Sequence, residues 1–143
     1  MTKISTREAL PPVLDWLVAK CQNQEVVFSK GVLRYPPGQF SLEEVYSPST
    51  DPAQGWEIID KDDISVFGIE HGLNSFMTYG ATLKLLGASP LRTKSGEDCG
   101  RIFYVYNIDA VTGPTKLIAA MRAKALRHLG EEVEVPEELV CSE

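Results

Sequence analysis

The chain has no hydrophobic run near the ~18 residues that a membrane-spanning helix requires, and its opening, with Lys3 and Arg7 leading into Pro11-Pro12, lacks the apolar segment of a secretory signal. A cytoplasmic protein away from membranes is therefore expected. The three cysteines, Cys21, Cys99 and Cys141, are odd in number, far apart and without Cys-x-x-Cys spacing, which argues against a disulfide framework and a thiolate metal site. They read as free thiols in a reducing compartment. Histidine is scarcer still: His71 and His128 are the two present, neither in a recognisable motif. Glycine patterns of the Walker or dinucleotide-binding type are missing as well. No catalytic residue, metal ligand or cofactor is assigned.

Base is also missing from one end. Residues 131 to 143 hold six glutamates and no Lys or Arg, so of twenty acids fourteen remain in the body against fourteen bases. The body is neutral and the net charge of -6 sits in the tail. A generic nucleic-acid binder carries a basic excess to neutralise phosphates, so nucleic acid is disfavoured as a partner.

What is present suits one soluble domain: 143 residues, 43% hydrophobic and 24% charged. Val13, Leu14, Leu17, Val18 and Cys21 fall on one face of a helix near 11 to 22, with Trp16 projecting from nearly the opposite side. Val26-Val27-Phe28 and Val32 to Tyr35 predict two short strands around a Gly31 turn. Trp56 to Asp60 and Ile64 to Phe67 read as strands separated by the charged turn Lys61-Asp62-Asp63. A further strand is expected near 75 to 79, a polar hairpin tip over 90 to 100, and the clearest strand over 101 to 106. The best helix runs from 114 to 129, capped by Thr112 or Gly113, with Pro114 at its first position and Gly130 at its end. Leu117, Ile118, Met121, Ala125 and Leu129 form its buried stripe. Lys116, Lys124 and Arg127 are expected outside, with Arg122 at the edge of the apolar arc. The sum is a single α+β domain over 1–136, a mainly antiparallel sheet of about four or five strands packed by an N-terminal and a C-terminal helix, and a mobile acidic tail over 137–143.

The least regular stretch is Tyr46-Ser47-Pro48-Ser49-Thr50-Asp51-Pro52-Ala53-Gln54-Gly55, which no helix or strand favours. Each proline removes a donor and pushes the residue before it from the α region, so Ser47 and Asp51 should be extended or turn-like, with Gly55 free to take a positive φ. Its hydroxyls, carboxylate and amide, held in shape by the prolines, offer a binding surface at low entropic cost. The residues assigned to it are Tyr46, Ser47, Ser49, Thr50, Asp51 and Gln54, with Arg122 supplying charge. The bland alternative is that these groups cap a turn and bond one another. A small hydrolase using a loop hydroxyl or carboxylate, and an interaction protein without a pocket, are the other readings.

Three blocks carry a resemblance: Leu14 to Lys20; Tyr46 to Asp51 with Ala53-Gln54-Gly55 and Ile58-Ile59; and Gly113 to Ala123 with Gly130 and Val133. Together they resemble the NinX-like family of small phage and prophage proteins of unknown function, whose pattern has Trp after the loop Asp where this chain has Pro52. The resemblance implies an accessory protein working in a bacterial cytoplasm and brings no catalytic residues. Its expected partner is a host protein or a small nucleotide-like ligand, and a homo-oligomer is left open.

Overall fold

The computed structural model describes residues 1–36, 44–71, 76–82, 87–92, 98–104 and 111–140. Strand β1 (Thr2–Ser5) leads through a 3-10 turn at Thr6–Glu8 to helix α1 (Val13–Cys21). The Ser5-x-x-Glu8 pattern makes no side-chain cap, and only that short turn forms before the prolines. Leu14, Leu17 and Val18 on α1 are fully buried, as their helical spacing requires. Strands β2 (Val27–Ser29) and β3 (Val32–Arg34) then pair as a hairpin. Its two turn residues, Lys30 and Gly31, both have positive φ (52° and 77°), the backbone whose twist matches a two-residue hairpin.

Helix α2 (Pro52–Asp62) replaces the strand expected over Trp56 to Asp60. The β-branched pair Ile58-Ile59 suggests a strand locally, but Asp51 caps the helix and Pro52 occupies its first turn, where a missing donor costs nothing. Gly55, Ile58 and Ile59 then share its buried side. Gly55 is thus helical rather than a positive-φ turn residue; a Cβ there would collide with the Pro48 carbonyl oxygen and the Leu117 side chain.

Strands β4 (Ser65–His71) and β5 (Phe76–Thr82) form an antiparallel pair, β6 (Gly87–Arg92) and β7 (Asp98–Tyr104) a second, and β8 (Val111–Gly113) joins β5. Of the strand expected over 101 to 106, residues 101 to 104 lie in β7 and the last two lie outside the described residues. The same holds for 93 to 97 of the hairpin tip. The fold is α+β. Its strands, among the described residues, fall into four antiparallel sheets, the largest of three strands in the order β4-β5-β8, rather than one sheet of four or five.

Helix α3 (Lys116–Leu129) is the centre of the molecule, contacted by α1, α2 and the β4-β5-β8 sheet. Thr115, one residue past the expected position, caps it by accepting from the Ile118 amide at 3.1 Å. Every residue from Leu117 to Ala125 is buried, so Arg122 and Lys124 are largely withdrawn from water. Lys124, expected on an outer face, instead pairs with Asp62 of α2, and Arg122 donates to the carbonyls of Ala9 (2.9 Å) and Thr112 (2.8 Å). Buried charges need such partners, because an unpaired one loses its hydration for nothing. Gly113 and Ala119 let strand and helix approach closely; a Cβ on Gly113 would lie 2.7 Å from the Ala119 nitrogen.

The chain closes on itself through β9 (Glu132–Val135), antiparallel to β1 in the register Thr2↔Val135 to Ser5↔Glu132. Arg7 clasps Glu131 with both ends of its guanidinium, at 2.8 and 3.1 Å. Helix α4 (Glu137–Val140) follows, where a mobile tail was expected, with Leu139 only 2% exposed. Leu139 joins a small second core with Ala19, Leu33 and Tyr46, bridged to the main core by the half-buried Val13 and Trp16. One leucine among the carboxylates is enough to anchor the segment, since burying such a side chain is worth about 1.5–3 kcal/mol. Residues 141–143 lie outside the described residues.

Candidate functional site: the cleft beside the polar loop

Six of the seven residues assigned from sequence lie together in the loop that feeds α2 and in the first turn of that helix, and most of their polar groups are engaged with one another. The Asp51 carboxylate accepts from the Ala53 amide through Oδ1 (3.0 Å) and from Gln54 Nε2 through Oδ2 (3.0 Å). Gln54 also donates to the Val45 carbonyl (2.8 Å) and accepts from the Ser47 amide (2.9 Å), so one amide side chain clips the loop shut. Thr50 and Asp51 donate their backbone amides to the Ser47 carbonyl, at 3.1 and 2.8 Å. Thr50 is exposed, and its hydroxyl sits 3.5 Å from the same carbonyl, at the limit of a hydrogen bond. The capping alternative therefore describes much of the loop. Its shape is held by the bonds that Gln54, Asp51 and the Ser47 carbonyl make within it.

Two bonds tie the loop to α1. Tyr46 is buried and donates its hydroxyl to Gln22 Oε1 at 2.8 Å, and burial raises its pKa, helped by the neighbouring Tyr35 and Asp15. Its ring meets Tyr35 edge to face, 5.4 Å between centroids. Ser49, 1% exposed, donates its amide to Asp15 Oδ1 at 2.8 Å. The Ser49 hydroxyl lies near enough to lower the Asp15 pKa, yet makes no hydrogen bond of normal geometry. Burial dominates, pushing the Asp15 carboxyl up from 3.8 to about 6.

The sequence reading missed Asp15 as a contributor to the site. It is the single charged residue in the apolar run Pro11 to Ala19, and a lone carboxylate on a buried helix face is a signal that something must receive it.

Arg122 is not brought to the loop. It is 8% exposed, with its charge spent on the Ala9 and Thr112 carbonyls, and burial lowers its pKa. What opens beside the loop is a cleft of about 480 Å³ between the end of α1, the residues after β3, and α2. Tyr46, Asp51 and Gln54 line it, joined by Tyr35, Glu44 and Glu57. Among its lining residues three are carboxylates and one, Lys61, is a base. The Tyr35 phenol has its pKa raised first by burial and then by Glu44, Glu57 and Asp51, so the cleft has a negative field.

The arrangement has little to offer as a catalyst. Ser49 and Asp15 pair a hydroxyl with a carboxylate near neutral pKa, but both are sealed from solvent. His128 is at the far end of α3, its Nδ1 2.8 Å from the Lys124 carbonyl, and burial pushes the Cys21 thiol up to about 11, away from reactivity. Among the described residues no three His, Cys, Asp or Glu side chains converge as a metal site, and no helix is long and apolar enough to cross a membrane. No protein-family model matches the chain, and no curated protein matches it.

Proposed function

We propose that this protein is a non-enzymatic binding module, a phage-type accessory protein in keeping with its NinX-like sequence blocks, that captures a host protein through the cleft beside the Tyr46–Gly55 loop. The observation that carries this reading is a pre-shaped cleft of about 480 Å³ whose walls are fixed by the Gln54 clip and the Tyr46–Gln22 bond. A surface already ordered loses little entropy on binding. Of the two ligand classes the sequence left open, the carboxylates of the lining favour a protein, because the phosphates of a nucleotide would be repelled and Arg122 is not there to receive them.

The test fills the cleft from an exposed lining position, Ala53, whose side chain has no role in the loop. Wild type and Ala53→Trp are immobilised and exposed to bacterial extract. A host protein retained by the wild type and lost by a variant of unchanged melting temperature supports the reading. Equal retention by both, or hydrolysis of ester or phosphodiester substrates that the substitution abolishes, overturns it.

A further inference from the structure

We infer that the outward face of α2 and the adjoining cleft form a docking surface for a cationic segment of a partner protein, its lysine or arginine side chains lying across Trp56 and against Glu44, Glu57 and Asp60. This rests on the binding-module reading and specifies the chemistry of what is bound. At about 100° per residue, Ala53, Trp56, Glu57 and Asp60 fall opposite the buried Gly55, Ile58 and Ile59. All four are exposed, and Trp56 leaves 42% of its surface in water.

Trp56 shares this face with the carboxylates of Glu57 and Asp60, and tryptophan is the best aromatic acceptor of a cation. The same pairing already occurs within this chain, where the Lys20 ammonium sits 4.8 Å from the centroid of Trp16. Glu44, Glu57 and Asp60 enter no ion pair among the described residues. Glu57 belongs to both the helix face and the cleft, which makes the two one surface. Among the described residues no three acids converge on a point, and the field along this face suits charges spread along a peptide.

The experiment titrates the full chain by calorimetry with a decapeptide of alternating arginine and glycine, at ~20 and ~200 mM salt. Binding is expected at low salt and should weaken at least tenfold at the higher concentration. Trp56→Ala should weaken it about fivefold and the pair Glu57→Gln/Asp60→Asn about tenfold. Glu134→Gln/Glu138→Gln, which removes the same charge elsewhere, should change it less than twofold. Equal weakening by both pairs would show general attraction to an acidic protein and overturn the inference, as would no binding at low salt. If an alternating glutamate–glycine peptide binds instead, and Ala53→Trp blocks it, the cleft is a binding site and the cationic assignment alone fails. If no peptide binds and Ala53→Trp also leaves host capture unchanged, both readings fail.

Discussion

Replacing Asp15 by asparagine tests whether the link between α1 and the loop carries a buried charge. In the folded protein the carboxyl is 3% exposed and titrates at about 6 rather than 3.8. The folded state therefore holds this proton more tightly than the unfolded chain, so the group's stabilising contribution is fully present below 3.8 and is lost as the pH rises through about 6. At 1.36 kcal/mol per pH unit, the rise from 3.8 to about 6 corresponds to about 3 kcal/mol. Asp15→Asn removes the titration but keeps an oxygen to accept from the Ser49 amide. Below about pH 6 the wild-type acceptor is itself the neutral acid, so the exchange changes the bond little there. The variant should thus match the wild type within about 1 kcal/mol near pH 3.5 and exceed it by about 3 kcal/mol near pH 7.5. Urea denaturation of both proteins across that range measures the difference directly, with every other titrating group cancelling. A difference independent of pH, or a variant less stable at pH 7.5, would refute a buried, proton-holding Asp15.

Asp62→Ala should cost about 3 kcal/mol, because it strands the Lys124 ammonium at 5% side-chain exposure; Lys124→Met should cost less, since Asp62 at 21% can rehydrate. Comparing the two denaturation midpoints checks the order. Gly55→Ala raises helix propensity yet should destabilise by about 2 kcal/mol, because the new methyl meets the Pro48 carbonyl, and thermal unfolding would expose a neutral outcome at once. A chain ended after Val135 loses the burial of Leu139 and should lose about 2 kcal/mol, whereas Leu139→Glu in the full chain should reproduce that loss if the leucine alone anchors α4.

The elements that could be read from sequence are those whose signals are local. Helix α3 shows an apolar stripe and a terminal Gly130, and the β2–β3 hairpin is marked by Gly31 between β-branched runs. Helix α2 was concealed because Trp56, Ile58 and Ile59 favour strands one by one, and the overriding signal, Asp51-Pro52 as cap and first turn, lay inside the loop chosen as the site. Lys124 and Arg122 look solvated by composition, since their partners Asp62 and the Ala9 carbonyl lie 62 and 113 residues away. The site was legible as a place and misread in its contents. Local spacing located the polar loop, but only tertiary structure shows that Gln54 spends its amide on the backbone and that Glu44 and Glu57 line the opening.

The pairing of β1 with β9 sets an order of events during synthesis. Ser5 meets Glu132 across the ladder, so the first strand leaves the ribosome long before its partner exists. At ~5–20 residues per second, the ~130 intervening residues take roughly 7–26 s to make, during which β1 has an unpaired edge and α1 lacks the α3 surface it packs against. Such a nascent chain completes its core only after α3 and β9 have emerged. The same geometry brings positions 2 and 135 side by side, so a short glycine linker joining them in place of α4, with new ends opened at the Lys30-Gly31 turn, would give up the burial of Leu139 but produce a permuted chain in which β9 and β1 follow one another as a hairpin and close within microseconds.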